Sequence, residues 1–113
     1  GEGLSPFGRD VVREAGRRRM IVDVAHASPA MVEEVLALSE RPVILSHGGF
    51  KGVCDSARNL EDSLMIKLAE HGALIGVGFW EGAVCDYSPQ GVVAAIRYGI
   101  DLLGVDGGHY TSL

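Results

Sequence analysis

His26 and His47 each close a short run of strand-forming residues, Ile21-Val-Asp-Val-Ala-His26 and Val43-Ile-Leu-Ser-His47, and small residues follow at once in both cases. A helical pattern lies between the runs. Parallel strands joined by helices bring their C-terminal ends to one side of a sheet, the side on which α/β folds place their chemistry. Side chains alternate along a strand, so Val22, Val24 and His26 are expected on one face, as are Val43, Leu45 and His47. Two neutral imidazoles meeting at one rim make half of a site for zinc or a similar divalent ion, which takes imidazole nitrogen at about 2.0–2.1 Å. A single histidine at a strand end is more often a hydrogen-bonded rim residue. Two at matching positions on successive strands weigh against that reading. A catalytic site needs more than two ligands, so the others are expected from outside these 113 residues.

Further candidates surround this pair. Arg58, in Cys54-Asp-Ser-Ala-Arg58-Asn59, falls in the loop after the second strand, where a guanidinium suits bidentate capture of a substrate carboxylate. The alternative is a surface ion pair with Asp55 or Glu61. Cys54 and Cys85 are the only cysteines and lie in successive loops at the same end of the sheet, open to a disulfide or to two free thiols according to compartment. Asp23 is expected to point away from the His26 face as a buried hydrogen-bonding acid. Phe79 and Trp80 end the third strand and are candidate walls of an apolar pocket. Gly48-Gly49 frees the backbone to approach a ligand but is too short for a phosphate loop.

The elements that must position these residues read as α-β-α-β-α-β-α. Three Ser-Pro pairs, Ser5-Pro6, Ser28-Pro29 and Ser88-Pro89, are helix starts. They predict helices over 6–19, 29–39 and 89–103, with Val11, Val12 and Ala15 on the apolar face of the first. A fourth helix is expected from a cap at Asn59 to Gly72, and strands over 20–26, 43–47 and 74–79. Near-continuous apolar strands between helices indicate a parallel sheet. The expected fold is therefore α/β, about three βα units of a (β/α)8 barrel. Such a barrel takes about 250 residues, so residues 1–113 are expected to be one partial barrel domain lacking N-terminal and C-terminal strands. No element is expected in the tail Gly107-Gly-His-Tyr-Thr-Ser-Leu113.

Composition narrows the partners. Hydrophobic residues make up 47% of the chain and charged ones 22%, which marks a globular class. A net charge of −5 argues against nucleic acid, and the run Arg17-Arg18-Arg19 suits a solvated helix end. No apolar run approaches the ~20 residues of a membrane span. Gly1 is not a natural start, so compartment stays open, with the cytosol favoured over a secreted or anchored form.

Leu4-Ser-Pro-Phe-Gly-Arg-Asp-Val-Val12, Asp23-Val-Ala-His-Ala-Ser28, Ser46-His47, Cys54 with Ala57-Arg-Asn-Leu60, and Ile75-Gly-Val-Gly-Phe79 together resemble the membrane (renal) dipeptidase family of zinc peptidases. The spacing carries the resemblance, 21 residues from His26 to His47 and 11 more to Arg58. It implies a (β/α)8 barrel with a binuclear zinc site, two Zn2+ per full-length subunit, that hydrolyses dipeptides by metal-activated water. By position, His26 and His47 would be the histidine ligands of one zinc and Arg58 would hold the dipeptide's terminal carboxylate. Cys54 and Cys85 fall near positions that are disulfide-bonded in secreted vertebrate members. A homodimer is open. The family's His-x-Asp pair and bridging glutamate would lie before Gly1, and its Gly-Ser-Asp motif after Leu113. Asp106 is not that acid, and His109 has no clear equivalent. The resemblance thus implies a segment inactive by itself. A non-catalytic barrel piece or pseudoenzyme, and another metal-dependent amidohydrolase, are the alternatives.

Overall fold

The computed structural model describes residues 2–104 and the backbone of 109–112. Asp106 and Gly107-Gly108 lie outside the described residues. The elements run α1 (Pro6–Arg17), α2 (Pro29–Leu38), β1 (Ile44–Gly48), α3 (Asp62–Glu70), β2 (Leu74–Val77), α4 (Glu81–Val84), α5 (Pro89–Leu103) and β3 (His109–Ser112). The strands form one parallel sheet in the order β1-β2-β3.

Each Ser-Pro pair starts a helix. The Ser5, Ser28 and Ser88 hydroxyls accept from the N–H groups of Gly8, Met31 and Gly91 at 3.0, 3.2 and 3.2 Å. Proline at the first helical position loses nothing there, because that N–H has no partner within the helix. At the far end of α1, the Arg18 Nε atom pairs with Glu14 at 2.7 Å, and Arg17 pairs with the same carboxylate, all on the exposed surface. Such pairs add little stability.

Four expectations about elements are corrected. Asn59 does not cap α3, which starts at Asp62 after Glu61; Asn59 is buried, and its Nδ2 donates to the Cys54 and Ala83 carbonyls at 2.8 Å each. The Cys54 carbonyl also takes the Ser56 N–H at 2.9 Å, and the Asn59 amide, lying between it and the Ala83 carbonyl, is held inward by both. The segment 20–26 does not form a full strand and bridges β1 only at Asp23–Ile44. There the Val24 N–H donates to the Ile44 carbonyl at 2.8 Å and the Ile44 N–H to the Val22 carbonyl at 3.0 Å. The Asp23 carboxylate then takes the Ser46 N–H, and the Val24 carbonyl turns to the Ala27 N–H. A side chain has replaced the next rung, and the ladder stops. Residues 109–112, expected to carry no element, form β3 beside β2 because β2 has a free edge there. Val11 is exposed, as are Phe7 and Ile21, so only Val12 of the expected α1 face reaches the core.

Phe50, Met65, Leu68, Ile75, Val32 and Val77 are the largest fully buried side chains, and they join sheet to helices in a single cluster. Within the sheet, Leu45 pairs with Ile75 and Gly48 with Val77, so β1 spends three steps where β2 spends two. The extra residue makes a bulge at Ser46-His47. Gly76 lies against it, and a Cβ there would sit 2.0 Å from the Ser46 carbonyl oxygen. That neighbour is backbone and cannot rotate away. Gly76→Ala is therefore expected to cost about 1–3 kcal/mol through forced strand separation; a denaturation midpoint equal to the parent's would show that the strands part without cost.

Candidate active site at the two-histidine rim

His47 sits in the bulge at the C-terminal end of β1, and His26 sits just past the Asp23 bridge. His26 has φ 68°, a left-handed conformation that costs a non-glycine residue of order 1–3 kcal/mol and that clusters at functional sites. The fold imposes it through the turn that the Ala27 N–H closes on the Val24 carbonyl at 3.1 Å. The result brings the two Nε2 atoms 2.9 Å apart, with ring centroids 4.9 Å apart in an edge arrangement. Val24, Val43 and Leu45 are buried below, while His26 is exposed and His47 half-buried.

Arg58 joins this pair. Its Nη1 contacts the His26 Nδ1, its Nη2 lies 3.5 Å from the His26 Nε2, and its guanidinium carbon lies 5.8 Å from the Trp80 ring centroid. The ion pair with Asp55 or Glu61 is not made by Arg58; Lys51 takes both acids, at 3.9 and 3.0 Å. Trp80 in turn packs edge-on to His47 with centroids 5.9 Å apart. His26, His47, Arg58 and Trp80 line an open pocket of about 460 Å³. Phe79 is 50% exposed and does not line it. The strand expected to reach 79 ends at Val77, and Trp80 lies at the start of α4, beside His47 and Arg58.

Beneath the pair lies an acid. The Asp23 Oδ1 accepts from the Ala25 N–H at 2.9 Å and the Ser46 N–H at 3.2 Å. Partial burial pushes its pKa up, but the Ser46 hydroxyl, these two N–H groups and the charge of nearby His47 outweigh that and hold it below the ordinary aspartate value. Asp23 is a hydrogen-bonding acid, as expected, but it is exposed rather than buried, and it faces the histidines through Ser46.

The loops bearing Arg58 and Trp80 are tied together. Cys54 and Cys85 form a disulfide, the Ser56 hydroxyl donates to the Gly82 carbonyl at 2.6 Å, and Asn59 bridges the Cys54 and Ala83 carbonyls. Gly48 and Gly49 are buried, with Gly49 closed in by Ala83 and Asn59, so this pair serves packing rather than a ligand.

The donor set suits a metal in part. Two imidazole nitrogens on a tetrahedral zinc stand about 3.3 Å apart, close to the 2.9 Å between the Nε2 atoms. Among the described residues no group of three or more His, Cys, Asp or Glu side chains gathers around one point. A separate pocket of about 270 Å³, lined by Val12, Arg13, Gly16, Arg17, Leu38, Glu40 and Arg41, lies by the N-terminal end of β1 and has Glu40 as its single carboxylate, among three arginines. Sequence reasoning gave Ser46 and Asn59 no role at the site. A buried asparagine between two site loops has no periodic signature. Ser46 would have been legible only from the bulge.

Known proteins resemble this chain in sequence and in fold. The family model for membrane dipeptidase (Peptidase family M19) matches residues 1–108. An uncharacterised dipeptidase of Schizosaccharomyces pombe is 35% identical over 95 residues, 84% of this chain and 23% of that protein. Dipeptidase 3 of Mus musculus is 39% identical over 75 residues, 66% of this chain and 15% of that protein. Among solved structures, a metallopeptidase from Rhodobacter sphaeroides bound to a phosphinate mimic of the dipeptide L-Ala-D-Ala matches with TM-score 0.87 at 28% identity, covering 99% of this chain and 34% of that one. An amidohydrolase from Pseudomonas aeruginosa matches with TM-score 0.83 at 30% identity over 97% of this chain and 35% of that one. The chain thus spans under a quarter of its curated relatives and about a third of these structures, as a partial stretch of their larger α/β barrel. A match over nearly its whole length, together with a fold that superposes on a solved metallopeptidase, places this chain in the membrane dipeptidase family of peptidases.

Proposed function

We propose that this segment supplies a metal-dependent dipeptidase with two histidine ligands, His26 and His47, and with Arg58 as the group that holds the substrate's free carboxylate. The observation that carries the reading is the approach of the two Nε2 atoms to 2.9 Å at a strand rim, with a guanidinium beside them. Zinc is the ion of choice, since imidazole nitrogen suits it and the family is one of metallopeptidases. Held there, the ion would polarise the substrate carbonyl and activate water for hydrolysis.

The chain's own residues do the rest. Arg58 presents a planar fork of donors that matches a carboxylate bidentately, which selects a substrate with a free C-terminus one residue from the scissile bond. That geometry favours dipeptides over internal peptide bonds. Trp80 and its loop wall the pocket, and the disulfide and Asn59 hold the Arg58 loop at a set distance from the histidines. Remaining ligands are assigned to parts of the protein outside this segment. The solved relative that binds a mimic of L-Ala-D-Ala supports a small dipeptide, with a D-residue tolerated at its C-terminal position. A second reading, hydrolysis of another amide at the same rim, draws on the likeness to the Pseudomonas amidohydrolase.

In the intact protein, His26→Ala and His47→Ala are each expected to remove roughly one zinc equivalent and most dipeptide hydrolysis; metal analysis that finds full occupancy in both variants would refute the ligand assignment. Arg58→Ala is expected to raise KM for dipeptides at least about 100-fold, the worth of a charge-assisted bidentate pair of about 3 kcal/mol. Amidated dipeptides should lose the same factor in the parent and nothing further in the variant. An amide substrate with no carboxylate that is turned over equally well by both forms would favour the second reading.

A further inference from the structure

The two histidines differ in what their Nδ1 atoms face. Arg58, which has only donors, lies against the His26 Nδ1. The His47 Nδ1 instead stands 2.9 Å from the Ser46 Oγ. A neutral imidazole that gives Nε2 to a metal keeps its proton on Nδ1, and a hydroxyl oxygen at that distance accepts it. The Asp23 carboxylate takes the Ser46 and Ala25 N–H groups and so fixes the backbone that carries this hydroxyl.

We propose that Ser46, held in place by Asp23, is a positioning residue that keeps the His47 proton on Nδ1 and so leaves Nε2 as the electron-pair donor at the rim. The inference rests on the reading of His47 as a metal ligand and adds the device that presets it. The backbone explains why a neighbour in sequence can do this. In a regular strand Ser46 and His47 would point to opposite faces; the bulge between Leu45 and Gly48 brings the hydroxyl beside the imidazole. Asp23 reaches the same point because its carboxylate, rather than a backbone carbonyl, holds the Ser46 N–H. His26 has no such device. Its Nδ1 meets the Arg58 guanidinium, a donor, in place of an acceptor.

The test uses the intact protein labelled with 15N-histidine, freed of metal by a chelator, and long-range 1H–15N spectra of His47. The parent is expected to show a protonated Nδ1 and a bare Nε2. Ser46→Ala is expected to give a mixture of tautomers and to weaken Co2+ binding at this centre about 10–100-fold, the usual cost of removing an outer hydrogen-bond partner. Asp23→Ala, which leaves the Ser46 N–H without this acceptor, should shift the tautomers in the same direction. Ser46→Thr, which keeps the hydroxyl on a strand-compatible residue, should restore both the single tautomer and the affinity. A merely structural role would lower stability without moving the tautomer signals. If Ser46→Ala keeps the parent tautomer and Co2+ affinity, while His47→Ala loses the metal, the relay is overturned and the ligand assignment stands. If Ser46→Ala scrambles the tautomer while His47→Ala binds metal as the parent does, the hydrogen-bonded chain stands and the ligand assignment falls.

Discussion

One extra residue between Leu45 and Gly48 sets the geometry on which the whole rim depends. A regular parallel ladder would continue from the Val22–Val24 segment across β1 with backbone rungs alone, and consecutive side chains would face opposite ways. The bulge interrupts that ladder where the Asp23 carboxylate takes the Ser46 N–H, and it aims Ser46 and His47 toward a shared centre. It is tolerated because Gly76 on β2 offers no Cβ to the displaced Ser46 carbonyl. The first bridge, the bulge and the glycine opposite are therefore parts of a single arrangement, and a change in any of them is felt at His47.

The second level of organisation is the pair of loops that follow β1 and β2. Arg58 and Trp80 come from different βα units, and each loop alone is irregular backbone with its own polar groups to satisfy. Asn59, the Cys54–Cys85 disulfide and the Ser56–Gly82 hydrogen bond join the two loops below the pocket. Joined in this way they present guanidinium, indole and imidazoles as one surface. Preorganisation of this kind reduces the ordering that binding of any ligand in the pocket would otherwise require.

The proposed chemistry follows from unequal roles for two similar residues. His47 is half-buried and met by the Ser46 hydroxyl, while His26 is exposed, strained in its backbone and met by a cation. In the proposed reading, the hydroxyl behind one imidazole orients it as a ligand, and the guanidinium against the other is the group suited to the substrate's carboxylate.

The residue types and spacings by themselves determined the helix starts at the three Ser-Pro pairs, the parallel α/β class, the strand-end placement of His47, and the loop placement of Arg58. These are local matters: a cap hydrogen bond spans three residues, and an apolar strand between helices is legible within one window. Tertiary structure alone decided that segment 20–26 contributes one bridge rather than a strand, that Asn59 turns inward instead of capping α3, that Phe79 leaves the pocket while Trp80 lines it, and that Ser46 stands between Asp23 and His47. Each of these depends on which distant backbone group competes for a donor or acceptor. A carboxylate 23 residues away captured the Ser46 N–H, and two carbonyls on separate loops captured the Asn59 amide. Such competition is settled by proximity in the folded chain, where a buried polar group must find a partner, and no periodicity along the sequence encodes it.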